Sequence, residues 1–183
     1  MHNGREVHHA HILPKELRWL NILEPIRTEV REYLDRHPAV KLHKYFHHLN
    51  SSQAFAFNLF FPYFEQGTSL TLLHAMGLSG EASDWQPEYI DNLAEGTNID
   101  VMWHAQDGAR TFCEVKLSEQ EFGAAKDDRR HRQKLEEIYK PVLEGHCAPE
   151  LLEPAAFFSK YQLLRNVWLA AKEPSASVVF LVP

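Results

Sequence analysis

The run from Arg110 to Leu117, RTFCEVKL, sets an acid and a lysine inside an otherwise apolar stretch. In an extended strand side chains alternate between faces, so Glu114 and Lys116 share one face with Phe112, while Cys113, Val115 and Leu117 share the other. Charges in so hydrophobic a run are costly to bury unless they are paired or bound to a metal, and they therefore call for a function. The preceding extended run, NIDVMW, adds Asp100, separated from Glu114 by thirteen residues. Two carboxylates can hold a hard divalent cation through oxygen, and such a cation polarises a phosphoryl oxygen and acidifies a water. The Val115 carbonyl can add a ligand. Lys116 beside them can orient or deprotonate the attacking water, or offset charge developing on the phosphate. Mg²⁺ is the natural cation for such oxygen donors, with Mn²⁺ as a substitute.

Register decides whether the three groups meet, because a slip of one residue moves a strand's side chains to the opposite face. A two-residue Asp107-Gly108 turn pairs Asp100 with Val115 and leaves the aspartate on the wrong face. A three-residue loop, Asp107-Gly108-Ala109, pairs Asp100 with Lys116 and Met102 with Glu114, and the site assembles. An odd-length loop is therefore expected.

The elements that must position these groups are legible in outline. Residues 15–36 place Leu17, Leu20, Ile22, Leu23, Ile26, Val30 and Leu34 near helical spacing, with Pro25 permitting a break, which predicts one or two helices. Asn50, Ser51 and Ser52 offer N-caps for the apolar helix SSQAFAFNLFFPYF, which Pro62 is expected to end or kink. SLTLLHAMGL is a short second piece, ending at Gly77 or Gly80. From Trp85 to Leu117 three extended runs form a β-meander. Residues 120–145 are charged and helical, with Leu135, Ile138 and Val142 as a narrow apolar stripe and a partly exposed character. FFSKYQLLRNVWLAAK forms a second periodic helix, and SVVFLV closes the chain as a buried strand.

Composition narrows the functional classes. The chain has 183 residues, 44% of them hydrophobic, with 11 Phe and 4 Trp, enough for one domain with a sizeable core. No apolar run approaches the roughly 18 residues of a membrane helix, and the N-terminus lacks the apolar core of a signal peptide, so the expected address is cytoplasmic with no membrane partner. Cys113 and Cys147 are neither a disulfide framework nor a CxxC pair and read as ordinary thiols. The net charge of −6 means that any nucleic-acid surface must be local. The best candidate is Lys126 to Lys134, which holds five Lys/Arg against two Asp, although a solvated helix face has the same pattern. Among the 12 histidines, His8, His9 and His11 cluster near the start and His43, His47 and His48 before the apolar helix. His43 and His47 have the i, i+4 spacing of metal ligands, but no HExxH pattern is present, and packed or solvated histidines are the simpler reading.

Asp100, thirteen residues, then Glu114-Val115-Lys116 on neighbouring strands together resemble the signature of the PD-(D/E)XK nuclease superfamily, with Asn98-Ile99 where that motif often has proline. The element order from residue 51 to 182, helix, three-stranded meander, helix, strand, is similar too, as are Ser51-Ser52-Gln53-Ala54 and Tyr161-Gln162-Leu163-Leu164-Arg165-Asn166. The resemblance implies a restriction-endonuclease-like α/β (α+β) core of three layers. In it a mixed four-stranded sheet is flanked by helices over residues 51–183, after a helical extension at 1–50 and with a helical insertion at about 120–150. It also implies metal-dependent hydrolysis of nucleic-acid phosphodiesters, DNA more than RNA, with Asp100 and Glu114 on Mg²⁺ and Lys116 on the water or the phosphate. Many members carry a glutamate on the first helix and a glutamine on the second. Here Gln53 and Gln162 stand in those places, and Glu88 on the first strand is the candidate for the missing charge. Gln162, Arg165 and Asn166, at i, i+3 and i+4, form one polar stripe that suits a site wall or buried carbonyls alike. Ser118 and Glu121 have capping-box spacing and receive no catalytic role. The alternatives are a catalytically inactive nuclease-like binding or assembly module and a zinc protein bound through His43 and His47. A homodimer is compatible with a chain that ends beside its last strand.

Overall fold

The computed structural model describes residues 10–91, 98–117 and 123–182. His8, His9, Ser118 and Glu121 lie outside the described residues, and so do parts of the stretches flanking β2 and β3.

The N-terminal segment forms two 3-10 turns, Lys15–Asn21 and Glu24–Ile26, that lead into helix α1 (Arg27–Arg36); the break falls at Ile22-Leu23, and Pro25 stands at the start of the second turn. Helix α2 (Ser52–Glu65) starts where the serine pair predicts, with the Ser51 side chain accepting a hydrogen bond from the Ala54 N–H at 3.3 Å. It does not end at Pro62 but runs three residues beyond it. α3 (Ser69–Ala75) follows and is closed by Gly77 at φ +76°, a left-handed conformation that glycine adopts without a Cβ clash.

Strands β1 (Ala82–Ile90), β2 (Asn98–Ala105) and β3 (Arg110–Val115) are antiparallel neighbours, and β4 (Ser177–Leu181) pairs parallel to β3, giving a mixed four-stranded sheet in the order β1-β2-β3-β4. A parallel pair needs a crossover. It is supplied by α4 (Arg129–Lys134), a π-helical turn at Leu135–Tyr139, α5 (Lys140–Leu143), a 3-10 turn, α6 (Pro154–Ser159) and α7 (Tyr161–Ala171). The periodic stretch expected as one helix is two, broken at Lys160, whose ψ of 30° departs from the helix. The apolar stripe of the crossover is carried by Leu135, Tyr139 and Leu143, all fully buried in the core.

The sheet separates two apolar layers. Val101, Trp103, Cys113 and Val115 pack against Ala56, Phe60, Leu72 and Leu73 from α2 and α3. Met102 and Phe112 pack on the other side against Leu164, Trp168 and Leu169 from α7 and the crossover residues. This is the α+β arrangement of a mixed sheet between helices. The N-terminal segment buries Ile22, Ile26, Val30, Tyr33 and Phe46 against Ala54, Phe57 and Phe61, so it packs on α2. Cys113 and Cys147 are free thiols. No helix among the described residues is long and apolar enough to cross a membrane.

Candidate functional site

The hairpin joining β2 and β3 sets the geometry of the candidate site. Met102 pairs with Phe112, Trp103 with Thr111 and His104 with Arg110, so the register continued one step places Asp100 opposite Glu114. The loop is Gln106-Asp107-Gly108, closed by the Ala105 N–H donating to the Ala109 carbonyl at 2.8 Å, with Gly108 at φ +82° and the Asp107 carboxylate accepting from the Ala109 N–H. The odd length expected from the sequence is present. The expected pairs of Asp100 with Lys116 and Met102 with Glu114 are corrected by two residues, because the loop begins at Gln106 rather than Asp107. A slip of two preserves the facing of every side chain, so the site survives the correction.

Alternation on β2 breaks at Asp100 itself. Ile99 packs with Met102 and Phe112, whereas Val101 packs with the opposite layer. Between the pairs Pro87–Val101 and Tyr89–Ile99, the residue of β1 facing Asp100 is Glu88, held at φ +53°. A left-handed non-glycine residue is strained, and such strain persists where its surroundings over-determine it. The break brings the Asp100 carboxylate onto the end of β3, where its Oδ2 accepts the Val115 N–H at 2.7 Å.

Three carboxylates and one lysine therefore gather at this end of the sheet, and two glutamines hold them. Glu114, only 3% exposed, receives hydrogen bonds from the Gln162 side chain and from Asn166 Nδ2, the latter at 3.1 Å, and lies 3.0 Å from Lys116 Nζ. Lys116 Nζ also donates to Gln162 Oε1 at 2.9 Å, so one glutamine side chain orients both members of the pair. Glu88 accepts from Asn98 and Gln53. Gln53 is in turn fixed by the N-terminal segment, accepting the His43 N–H at 2.7 Å and donating to the Lys41 carbonyl at 2.9 Å.

The electrostatics follow from this crowding. Burial, then the nearby Glu114 charge and to a lesser degree Glu88, pushes the Asp100 carboxyl up to about 8, with the Val115 N–H and Lys116 opposing. Burial also raises Glu88, against the hydrogen bonds from Asn98 and Gln53. Among the described residues three carboxyl groups thus stand beside one lysine, and Asp100 answers the crowding by holding its proton.

Two clefts open on the cluster and share Asn98. One, of about 280 Å³, is lined by His43, Tyr45, His48, Gln53, Glu88 and Asp100. The other, of about 510 Å³, is lined by Lys126, His131, Tyr161, Gln162, Arg165 and Asn166. The α7 stripe thus faces the cluster, with Gln162 and Asn166 on Glu114 and the Arg165 guanidinium 5.2 Å from the Tyr161 ring centroid. Sequence reasoning missed Asn98 as a contact of Glu88 and Tyr45 as a cleft residue. The only signal for Asn98 is a polar residue two before Asp100, and for Tyr45 none exists, since its place depends on a loop packing sixty residues away from the acids.

A divalent cation suits this donor set. Asp100 and Glu114 offer carboxylate oxygens in a site where burial and like charge favour a bound proton, and a cation relieves the same excess. Among the described residues no three His, Cys, Asp or Glu side chains converge as a preformed ligand group. The coordination would therefore be completed by the Val115 carbonyl and waters, as Mg²⁺ tolerates. His43 and His47 form no such group either.

A model of the family described as Restriction Endonuclease associating with ARP matches residues 1–183. No curated protein and no solved structure matches the chain.

Proposed function

The chain belongs to the Restriction Endonuclease associating with ARP family, and on that premise we propose that it is a PD-(D/E)XK nuclease, hydrolysing phosphodiester bonds of nucleic acid, DNA in the first instance, with a divalent cation. The observation that carries this reading is the surplus of carboxylate at the end of β3: Asp100 facing Glu114, with Glu88 opposite, beside a lysine held by a glutamine.

In this reading Asp100 and Glu114 hold Mg²⁺, or Mn²⁺ in its place. The cation, when bound, supplies Lewis-acid polarisation of the phosphoryl oxygen and acidifies the attacking water. The chain's own groups do the rest. Lys116, fixed within hydrogen-bond reach of Glu114 and Gln162, holds the water on line or neutralises charge on the phosphate as the bond to water forms and the bond to the leaving oxygen breaks. Gln162 and Asn166 keep Glu114 from swinging away, and Gln53 does the same for Glu88, whose carboxylate can take a proton or a second contact to the cation. Lys126 and Arg165 line the neighbouring cleft with positive charge for the flanking phosphates.

A second reading has its own observation. Glu114 already has hydrogen-bond donors on both oxygens, from Gln162, Asn166 and Lys116, as a structural ion pair in a catalytically inactive binding or assembly module would. The test is incubation with plasmid and single-stranded DNA in Mg²⁺ or Mn²⁺, beside a Lys116→Ala variant and an EDTA control. Cleavage that needs both metal and Lys116 is expected. No cleavage by folded protein would overturn the nuclease reading in favour of the module.

A further inference from the structure

We propose that the nucleic acid this site takes is an unpaired strand, with one base lying on the exposed ring of Tyr45 while the adjoining phosphate sits at Asp100 and Glu114. The phosphate placement rests on the nuclease reading above; the base platform rests on the cleft alone.

Tyr45 is 47% exposed although its neighbour Phe46 is 1% exposed. Its ring is nonetheless held in place, met edge-on by His43 at 5.3 Å between centroids and at a tilt by His48 at 4.8 Å. The loop beneath is pinned to the body of the protein: Asn21 Nδ2 donates to the Phe46 carbonyl at 2.8 Å and to the His48 carbonyl at 2.6 Å, and the His48 N–H donates to the Tyr45 carbonyl at 2.8 Å. An exposed aromatic ring on a rigid loop contributes nothing to the core. It is a preorganised surface for another π-system, because little side-chain freedom is lost when a flat ligand settles on it.

Position makes that ligand a base. Tyr45 shares its cleft with Asp100 and Glu88, so whatever stacks there is adjacent to the carboxylates. Lys44 Nζ lies over the Tyr45 ring, 4.6 Å from its centroid, so a base that stacks there displaces this cation, which its long flexible side chain allows, and keeps its charge close by for the phosphate. Beyond Asn98 the second cleft carries Lys126 and Arg165, giving a strand two positive charges on the other side of the acids. The two clefts together trace a route that crosses the candidate site.

Duplex DNA does not fit these features as well. Its bases are stacked on one another and present no free face to a side chain, whereas single strands and unpaired ends do. Glu114 is recessed at 3% exposure, so the scissile phosphate must enter a cleft, which a flexible strand does without the cost of bending a duplex.

The experiment compares a labelled single-stranded DNA oligonucleotide with its duplex, by fluorescence anisotropy in Mg²⁺, on the full chain carrying Lys116→Ala so that no strand is cut. Stacking of one base predicts a preference for the single strand of about 5- to 150-fold. Tyr45→Ala should remove most of that preference and Tyr45→Phe should keep it. Equal or tighter binding of the duplex, an unchanged preference in Tyr45→Ala, or no binding of either probe would overturn the proposal. Cleavage by the unsubstituted chain, run in parallel, separates the two readings. Lys116-dependent cutting indifferent to Tyr45 would sink the platform and leave the nuclease, whereas Tyr45-dependent strand binding without cutting would sink the nuclease and leave the platform.

Discussion

Strand β3 carries a cluster of charge at each end, and the two are built on opposite terms. At its start, Arg110 donates to Asp91 and Glu173, and Lys172 reaches Asp91 at 2.9 Å, so two cations meet two anions. Burial alone would raise the Asp91 carboxyl, but hydrogen bonds from Lys172 and Arg110 hold it below its usual range. At its end, Glu114 and Asp100, with Glu88 beyond, share Lys116 as their cation, and burial with like charge pushes Asp100 up to about 8. Among the described residues the first cluster matches two cations to two anions, whereas the second sets three carboxyl groups beside one lysine, the imbalance on which the proposed cation site rests.

The largest effect expected from this contrast is on cleavage. Asp100→Asn should lower the single-turnover rate on DNA in Mg²⁺ on the order of a thousandfold or more, since in the nuclease reading it removes a ligand of the cation that stabilises the transition state. Asp91→Asn, the same change at the balanced end, should leave that rate within about twofold. Equal losses at both ends would break the comparison.

Gln162→Leu comes next. The side chain orients both Glu114 and Lys116, and loss of such a support costs about 10- to 100-fold in activity or metal affinity. The loss should appear in the rate and in the Mn²⁺ titration, both read at a temperature where the variant is folded.

Stability should rank the two ends the other way. Arg110→Ala leaves Asp91 its bond from Lys172 but takes the guanidinium from both Asp91 and Glu173, and should cost about 2 kcal/mol in urea unfolding, given that a hydrogen bond to a charged group is worth about 1.5–3 kcal/mol. Nuclease activity at a temperature where the variant is folded should persist.

The last effect is the pH dependence, and its sign follows from the raised Asp100 carboxyl. A folded-state pKa raised from 3.8 to about 8 lends stability that is complete below 3.8 and is lost as pH rises through about 8. In EDTA, Asp100→Asn should therefore melt higher than the unsubstituted chain at about pH 9 and lose that advantage by about pH 4. Mg²⁺ should raise the melting temperature of the unsubstituted chain more at the higher pH, and that of Asp100→Asn at neither. A metal effect that survives in Asp100→Asn would place the cation elsewhere.

Much of this architecture was legible in the chain. Alternation along RTFCEVKL put Glu114 and Lys116 on one face, the Asp107-Gly108 pair marked a turn, and the odd loop length followed from asking that Asp100 join them. The i, i+4 spacing of Gln162 and Asn166 put both on one side of α7, where they donate to Glu114. Gln53, expected as the counterpart of a carboxylate, holds Glu88 and the backbone at Lys41 and His43 instead. The balanced network around Arg110 went unread, because its bonded members are separated by up to 81 residues and none lies in a recognisable pattern.

What the sequence by itself determined is therefore local and periodic: the strand faces, the caps, the order of elements and the acids inside an apolar run, each set by dihedral preference and burial over a few residues. What only the tertiary structure decided are the two-residue register of the hairpin, the break in alternation that turns Asp100 onto Val115, and the loop that brings Tyr45 beside it. Those depend on which of several equally patterned arrangements buries the most apolar surface while pairing the most polar groups, a sum taken over the whole chain and not over any window of it.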